Sequence, residues 1–147
     1  MKFTATAKQS AGTKTDYIKL GDGETIEGVF RGEPHVFHVV WENGRSKDVP
    51  DSHPGAKMRF ALNFLTRVNG TVVAKIIEGS GRMYFDLKSL SENGYDLEKT
   101  KVRITRTGTD FNNTRYTVLP LPNGTITEDV EKHLSQIKLH VLDKAQL

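Results

Sequence analysis

Apolar and polar residues alternate with period two over much of this chain, and turn residues interrupt the alternation at short intervals. The clearest run is 57–68, with Met58, Phe60, Leu62 and Phe64 on one face and Arg59, Ala61, Asn63, Leu65 and Arg67 on the other. Asn69-Gly70 joins it to a Val/Ile-rich run from Thr71 to Glu78, so residues 57–78 are predicted to form a hairpin. Upstream, order is expected from Tyr17 to Leu20, then a turn at Gly21-Asp22-Gly23 and strands over Thr25–Arg31 and His35–Trp41. Gly28 and Gly32 mark a bulge or sharp coil. Asn43-Gly44 closes the second strand, and residues 43–56, with two prolines and two glycines, read as a long loop.

The period then changes. Met83, Leu87 and Leu90 recur at helical spacing until Gly94. Strands return over 101–107, with Val102 and Ile104 inward, and over 114–119, with Tyr116 and Val118 inward, and Pro120 and Pro122 are expected to end the latter. Thr125-Ile126-Thr127-Glu128 has the form of a capping box. Val130, Leu134, Ile137 and Val141 follow at i, i+4, i+7 and i+11, the stripe of an amphipathic helix in need of an apolar partner surface. The element order predicts a mainly β protein: an OB-type small barrel of five to six strands, one helix between strands and a C-terminal helix. Its parts would be a mobile basic arm (1–16), the barrel (17–122) and a helix (123–147) packed on the barrel or on a partner.

Composition narrows the function. A chain of 147 residues suits one domain, and the absence of cysteine excludes disulfides, thiolate nucleophiles and cysteine-based metal sites. The first residues lack the apolar run of a secretion signal, and no stretch approaches the roughly 20 apolar residues of a membrane span, so a soluble, cytoplasmic protein is expected. The net charge of +3 is modest but uneven: residues 61–120 hold nine basic and six acidic residues, residues 121–147 three and four. Lys99, Lys101, Arg103, Arg106 and Arg115 fall within seventeen residues whose only acid is Asp110. Such a field attracts phosphates by counterion release.

Catalytic and metal chemistry finds no support in the pattern. His35 and His38, three apart in a strand, point to opposite faces, and His53, His133 and His140 have no spaced second ligand. Glu78-Gly79-Ser80-Gly81-Arg82 leads from strand to helix but lacks the lysine and glycine spacing of a phosphate loop. Neither enzyme activity, cofactor nor metal is expected. What remains is basic residues interleaved with aromatic ones on strands, the composition of a single-strand binding groove in which bases stack on rings and Lys and Arg follow phosphates. Trp41, beside its turn, and Phe111, in the loop 108–113, are the aromatics least needed by a core; Phe37 shares a face with Trp41.

Three blocks of sequence add a family likeness. Asp16-Tyr17-Ile18-Lys19-Leu20-Gly21-Asp22-Gly23-Glu24 leading to Val29–Glu33, Arg59-Phe60-Ala61-Leu62-Asn63, and Thr105-Arg106-Thr107-Gly108 with Thr114–Val118 resemble tailed-phage single-stranded DNA-binding proteins with an OB core. The likeness covers about residues 16–120, and the Arg-x-Gly block followed by Thr-x-Tyr is its most specific part. It implies a protein that coats single-stranded DNA in phage replication, recombination or repair, in the host cytoplasm, with Arg59, Arg106 and Arg115 lining the groove and Asn63 nearby. Two departures stand out: the cysteines through which many relatives hold zinc near 43–57 are missing, and residues 121–147 do not form an acidic tail. The expected site is therefore Phe37, Trp41, Arg59, Asn63, Lys99, Lys101, Arg103, Arg106, Phe111 and Arg115. Its partner would be single-stranded DNA, with single-stranded RNA as a second candidate, no membrane, and self-association along DNA. A non-catalytic protein-interaction or structural module is the alternative.

Overall fold

The computed structural model describes residues 16–109 and 113–143. Six strands form one antiparallel sheet: β1 (Thr25–Glu42), β2 (Arg45–Val49), β3 (Lys57–Val68), β4 (Thr71–Ser80), β5 (Thr100–Thr107) and β6 (Arg115–Thr125). Helix α1 (Gly81–Glu92) joins β4 to β5, and α2 (Glu128–Leu134) follows β6. The strand order is β4-β3-β1-β5-β6, with β2 on the far half of β1. The mainly β class and the helix between strands are as predicted. The barrel does not close, because β4 and β6 stand at opposite ends of the path and do not pair.

Several boundaries differ from the sequence reading. The two strands expected over 25–31 and 35–41 are one long strand, whose ladder with β3 slips between Arg31 and His35. Gly32 takes a positive φ of 79° there, which only a residue without a Cβ adopts cheaply. Gly28 answers a different need: a Cβ would sit 2.2 Å from the Leu65 carbonyl oxygen and 2.8 Å from the Phe64 ring. The expected loop 43–56 begins as a strand, since Asn43 and Gly44 (φ 52° and 75°) make a tight turn that lays Arg45–Val49 back on β1. The polar residues of β2 gave no alternation to read because most of its positions are exposed.

Strand β6 runs through both prolines to Thr125. It is an edge strand whose register with β5 breaks between Thr100 and Val102, beside the prolines, and edges and bulges are where a sheet tolerates proline. Helix α2 is capped by Thr127, not Thr125: the Thr127 hydroxyl accepts from Val130 N at 3.3 Å. It ends at Leu134, so Ile137 and Val141 lie beyond it.

The sheet carries a core on each face. On the inner face Phe30, Phe60, Phe64, Ile77, Val102 and Ile104 pack with Met83 and Leu87 of α1, and Phe30 meets Phe64 edge to face at 5.0 Å. Ser80 caps α1 through Met83 N at 3.3 Å. On the outer face Val29 and Leu65 are buried by Leu134, with Ile126, Ile137 and Leu139 around them. The C-terminal segment packs on the sheet as a short helix followed by a strap without regular secondary structure.

Candidate nucleic-acid interface

Facing residues of an antiparallel ladder project to the same side, so the registers show which predicted site residues share a face. Phe37 stands opposite Arg59, and Arg59 opposite Ser80. Arg103 stands between Glu27 on β1 and Leu119 on β6, and Thr107 faces Arg115. Odd-numbered positions of β1 on both sides of the bulge keep one face, because the slip adds two residues. Phe37, Trp41, Arg59, Asn63, Lys101, Arg103 and Arg115 therefore all lie on the outer face of the sheet. Lys99 is exposed just before β5. Phe111 lies outside the described residues, as does nearly all of the basic arm.

The strap divides this face. Asn63 is 3% exposed and spent on the backbone of His140: its Nδ2 donates to the His140 carbonyl at 3.1 Å and its Oδ1 accepts from His140 N at 2.8 Å. The His140 ring reaches Ala74 O at 2.8 Å through Nε2. Arg31, directly opposite Asn63 in the β1–β3 ladder, makes a bidentate pair with Glu131 of α2, one arm of which is Nη1 to Oε2 at 3.0 Å. That bond and the neighbouring charges of Arg31 and Lys99 hold the Glu131 carboxyl below its ordinary range. Phe37, Arg59 and Trp41 lie on one side of the strap's contacts, and Lys101, Arg103 and Arg115 on the other.

Charge and exposure sort the residues further. Trp41 is 55% exposed, while Phe37 is half-buried and stacks on His35 at a centroid distance of 5.7 Å. Lys101 and Arg115 are exposed. Arg103 donates from Nε and Nη2 to Glu27 Oε2, at 2.8 and 2.7 Å, so its charge is partly compensated. Arg106 alternates with Arg103 and faces inward. Its guanidinium bonds the Leu20 carbonyl and, at 3.3 Å, Thr114 Oγ1.

Arg106 explains two of the sequence blocks. Its backbone exchanges bonds with the 21–24 turn, Gly23 N to Arg106 O at 2.7 Å and Arg106 N to Glu24 O at 3.0 Å. Asp22 Oδ1 accepts from Gly108 N at 2.9 Å, and Gly108 (φ 109°) leaves no room for a Cβ, which would sit 2.2 Å from Asn113 O. Blocks 16–24 and 105–108 therefore fasten one corner of the sheet together, and Arg106 serves the fold there.

Sequence reasoning missed Arg31, Glu131 and His140, which tie the strap down, and Glu27, which faces Arg103. Their roles depend on pairings across 76 to 100 residues, which no local pattern encodes. Among the described residues no group of three or more histidines and carboxylates is placed to hold a metal ion, and no helix is long and apolar enough to cross a membrane. Comparison with family models, with curated proteins and with solved structures gives no match.

Proposed function

We propose that this protein binds single-stranded DNA without sequence preference, and acts in phage DNA replication, recombination or repair, as the sequence resemblance implies. The observation that carries the reading is the common face of Trp41, Phe37 and Arg59 with Lys101, Arg103 and Arg115. Rings for stacking and cations for phosphates are the two parts of a sequence-tolerant groove. Asn63 and Arg106 leave the proposed contact set, because the Asn63 amide and both Arg106 Nη groups bond within the fold. The strand would cross the sheet on either side of the strap, with stacking on the Trp41 side and phosphate contacts on the Arg115 side.

One observation favours the alternative, a non-catalytic protein-interaction module. Leu119 is 54% exposed beside the Arg103–Glu27 pair, an apolar and charge-balanced patch that suits a protein surface.

Titration with oligo-dT, read by Trp41 fluorescence and by gel shift at two salt concentrations, separates the two. The nucleic-acid reading expects quenching that weakens steeply with salt, and a triple Lys101→Ala/Arg103→Ala/Arg115→Ala variant with weaker binding and a salt slope reduced by up to about 3. No retardation in the gel at low salt overturns it.

A further inference from the structure

On the other side of the sheet, where β1 leaves its ladder, a pocket of about 390 Å³ opens between the bulge and α1. Its size falls in the range of sites for small organic molecules. Phe30, Phe60 and Leu62 line it from the sheet, and Tyr84, Leu87 and Leu97 from the helix and the turn after it. The bulge makes the opening. Gly32 N leaves the strand ladder and donates to Glu98 Oε2 at 3.0 Å, which ties the 94–99 turn to the bulge while Gly32 and Pro34 form the near wall.

The mouth has a definite sign. Glu92 and Glu98 line it against a single Lys88. Lys88 and Glu92 are four apart on α1, yet among the described residues no ion pair joins them. The last turn of α1 holds no basic residue, and Glu92 stands where the helix dipole already places negative charge. A carboxylate in that position works against the helix, which favours a cation near its C-terminus. Below the mouth, the half-buried Tyr84 supplies an aromatic wall, a group that also attracts cations. Glu98, having accepted one bond from Gly32, keeps further acceptor capacity.

We propose that this pocket binds a small organic cation with an apolar, preferably aromatic, body: the body against Pro34, Tyr84 and Leu97, which keep accessible surface in the pocket, and the ammonium or amidinium group at Glu92 and Glu98. This site lies on the opposite side of the sheet from the candidate nucleic-acid interface and does not depend on that reading.

The test uses the full chain and three probes of similar size: phenethylammonium, phenylacetate and benzyl alcohol. Binding is measured by ligand-observed NMR and by amide shifts of Gly32, Ser91 and Leu97. The expected result is saturable binding of phenethylammonium, at least about tenfold tighter than phenylacetate, with the neutral alcohol between them. Glu92→Gln should cut that preference to about threefold or less. Ser91→Trp, an exposed helical position at the mouth, should weaken all three probes at least about fivefold, with an unchanged circular dichroism spectrum confirming the fold. The proposal is overturned if phenylacetate binds as tightly as phenethylammonium, if Ser91→Trp leaves binding unchanged, or if no probe gives saturable shifts.

Discussion

Single residues hold this fold at places where no substitute fits. Gly28 stands where β1 crosses Phe64 and the Leu65 carbonyl, too close for even a methyl group. Gly28→Ala is expected to destabilise by about 2–3 kcal/mol through forced shifts of β1 and β3, measurable by chemical denaturation. Asn63 is a second such place, since both halves of its amide pair with one backbone unit of His140. Asn63→Ala removes two hydrogen bonds and leaves the half-buried His140 backbone groups without that partner, for an expected loss of about 1–3 kcal/mol. Glu131 adds a pH dependence. Its folded-state pKa lies below the ordinary 4.5, chiefly through the bond from Arg31. The stabilisation is therefore present above the unfolded-state pKa and is lost as pH falls through the folded value. Glu131→Gln should lower Tm at pH 7, and the gap to the wild type should shrink as pH falls below 4.5.

At the level of elements, what was legible in the sequence was whatever local chemistry enforces. The 57–78 hairpin follows from alternation and an Asn-Gly turn, and it forms over Lys57–Ser80 as read. The same turn type at 43–44 was recognised, but its returning strand was hidden because β2 is too exposed to show a pattern. The C-terminal segment failed for a sharper reason. Ile137, Leu139 and Val141 satisfy period two, while Val130, Leu134, Ile137 and Val141 satisfy a helical spacing, so the sequence supports either conformation past Leu134. The apolar strip of Val29 and Leu65, and the Asn63 amide that pairs with His140, hold the segment out of a helix. Of the candidate site, side-chain types and alternation were legible, whereas Glu27 opposite Arg103 and the strap over Asn63 arise from register and long-range packing. Leu139→Asp tests the strap as an element: burying a charge against Val29 and Leu65 should release residues beyond 126 to limited proteolysis while the sheet's circular dichroism persists.

For the whole molecule, the sum of +3 conceals how charges are paired across strands. The outer face carries Glu27 in the middle of its basic row, and Arg103 is held by it. On the proposed reading Glu27→Gln should strengthen oligo-dT binding about two- to fivefold at low salt, as it removes a like charge from the path of the phosphates, and the gain should fade by 0.3 M salt. A gel-shift series at three salt concentrations checks it, and a protein-interaction module would show no such gain.

The strap also sets a schedule for synthesis. Apart from Val72 and Ala74 of β4, the apolar residues packed around Val29 and Leu65 on the outer face are encoded after residue 125, so a chain emerging at about 5–20 residues per second can complete its sheet before this cover exists. For those seconds the nascent protein presents an apolar strip and the unmatched amide of Asn63 to whatever is near, another nascent copy included. Chains stalled or truncated near residue 126 should therefore partition to the insoluble fraction even though the six strands are whole.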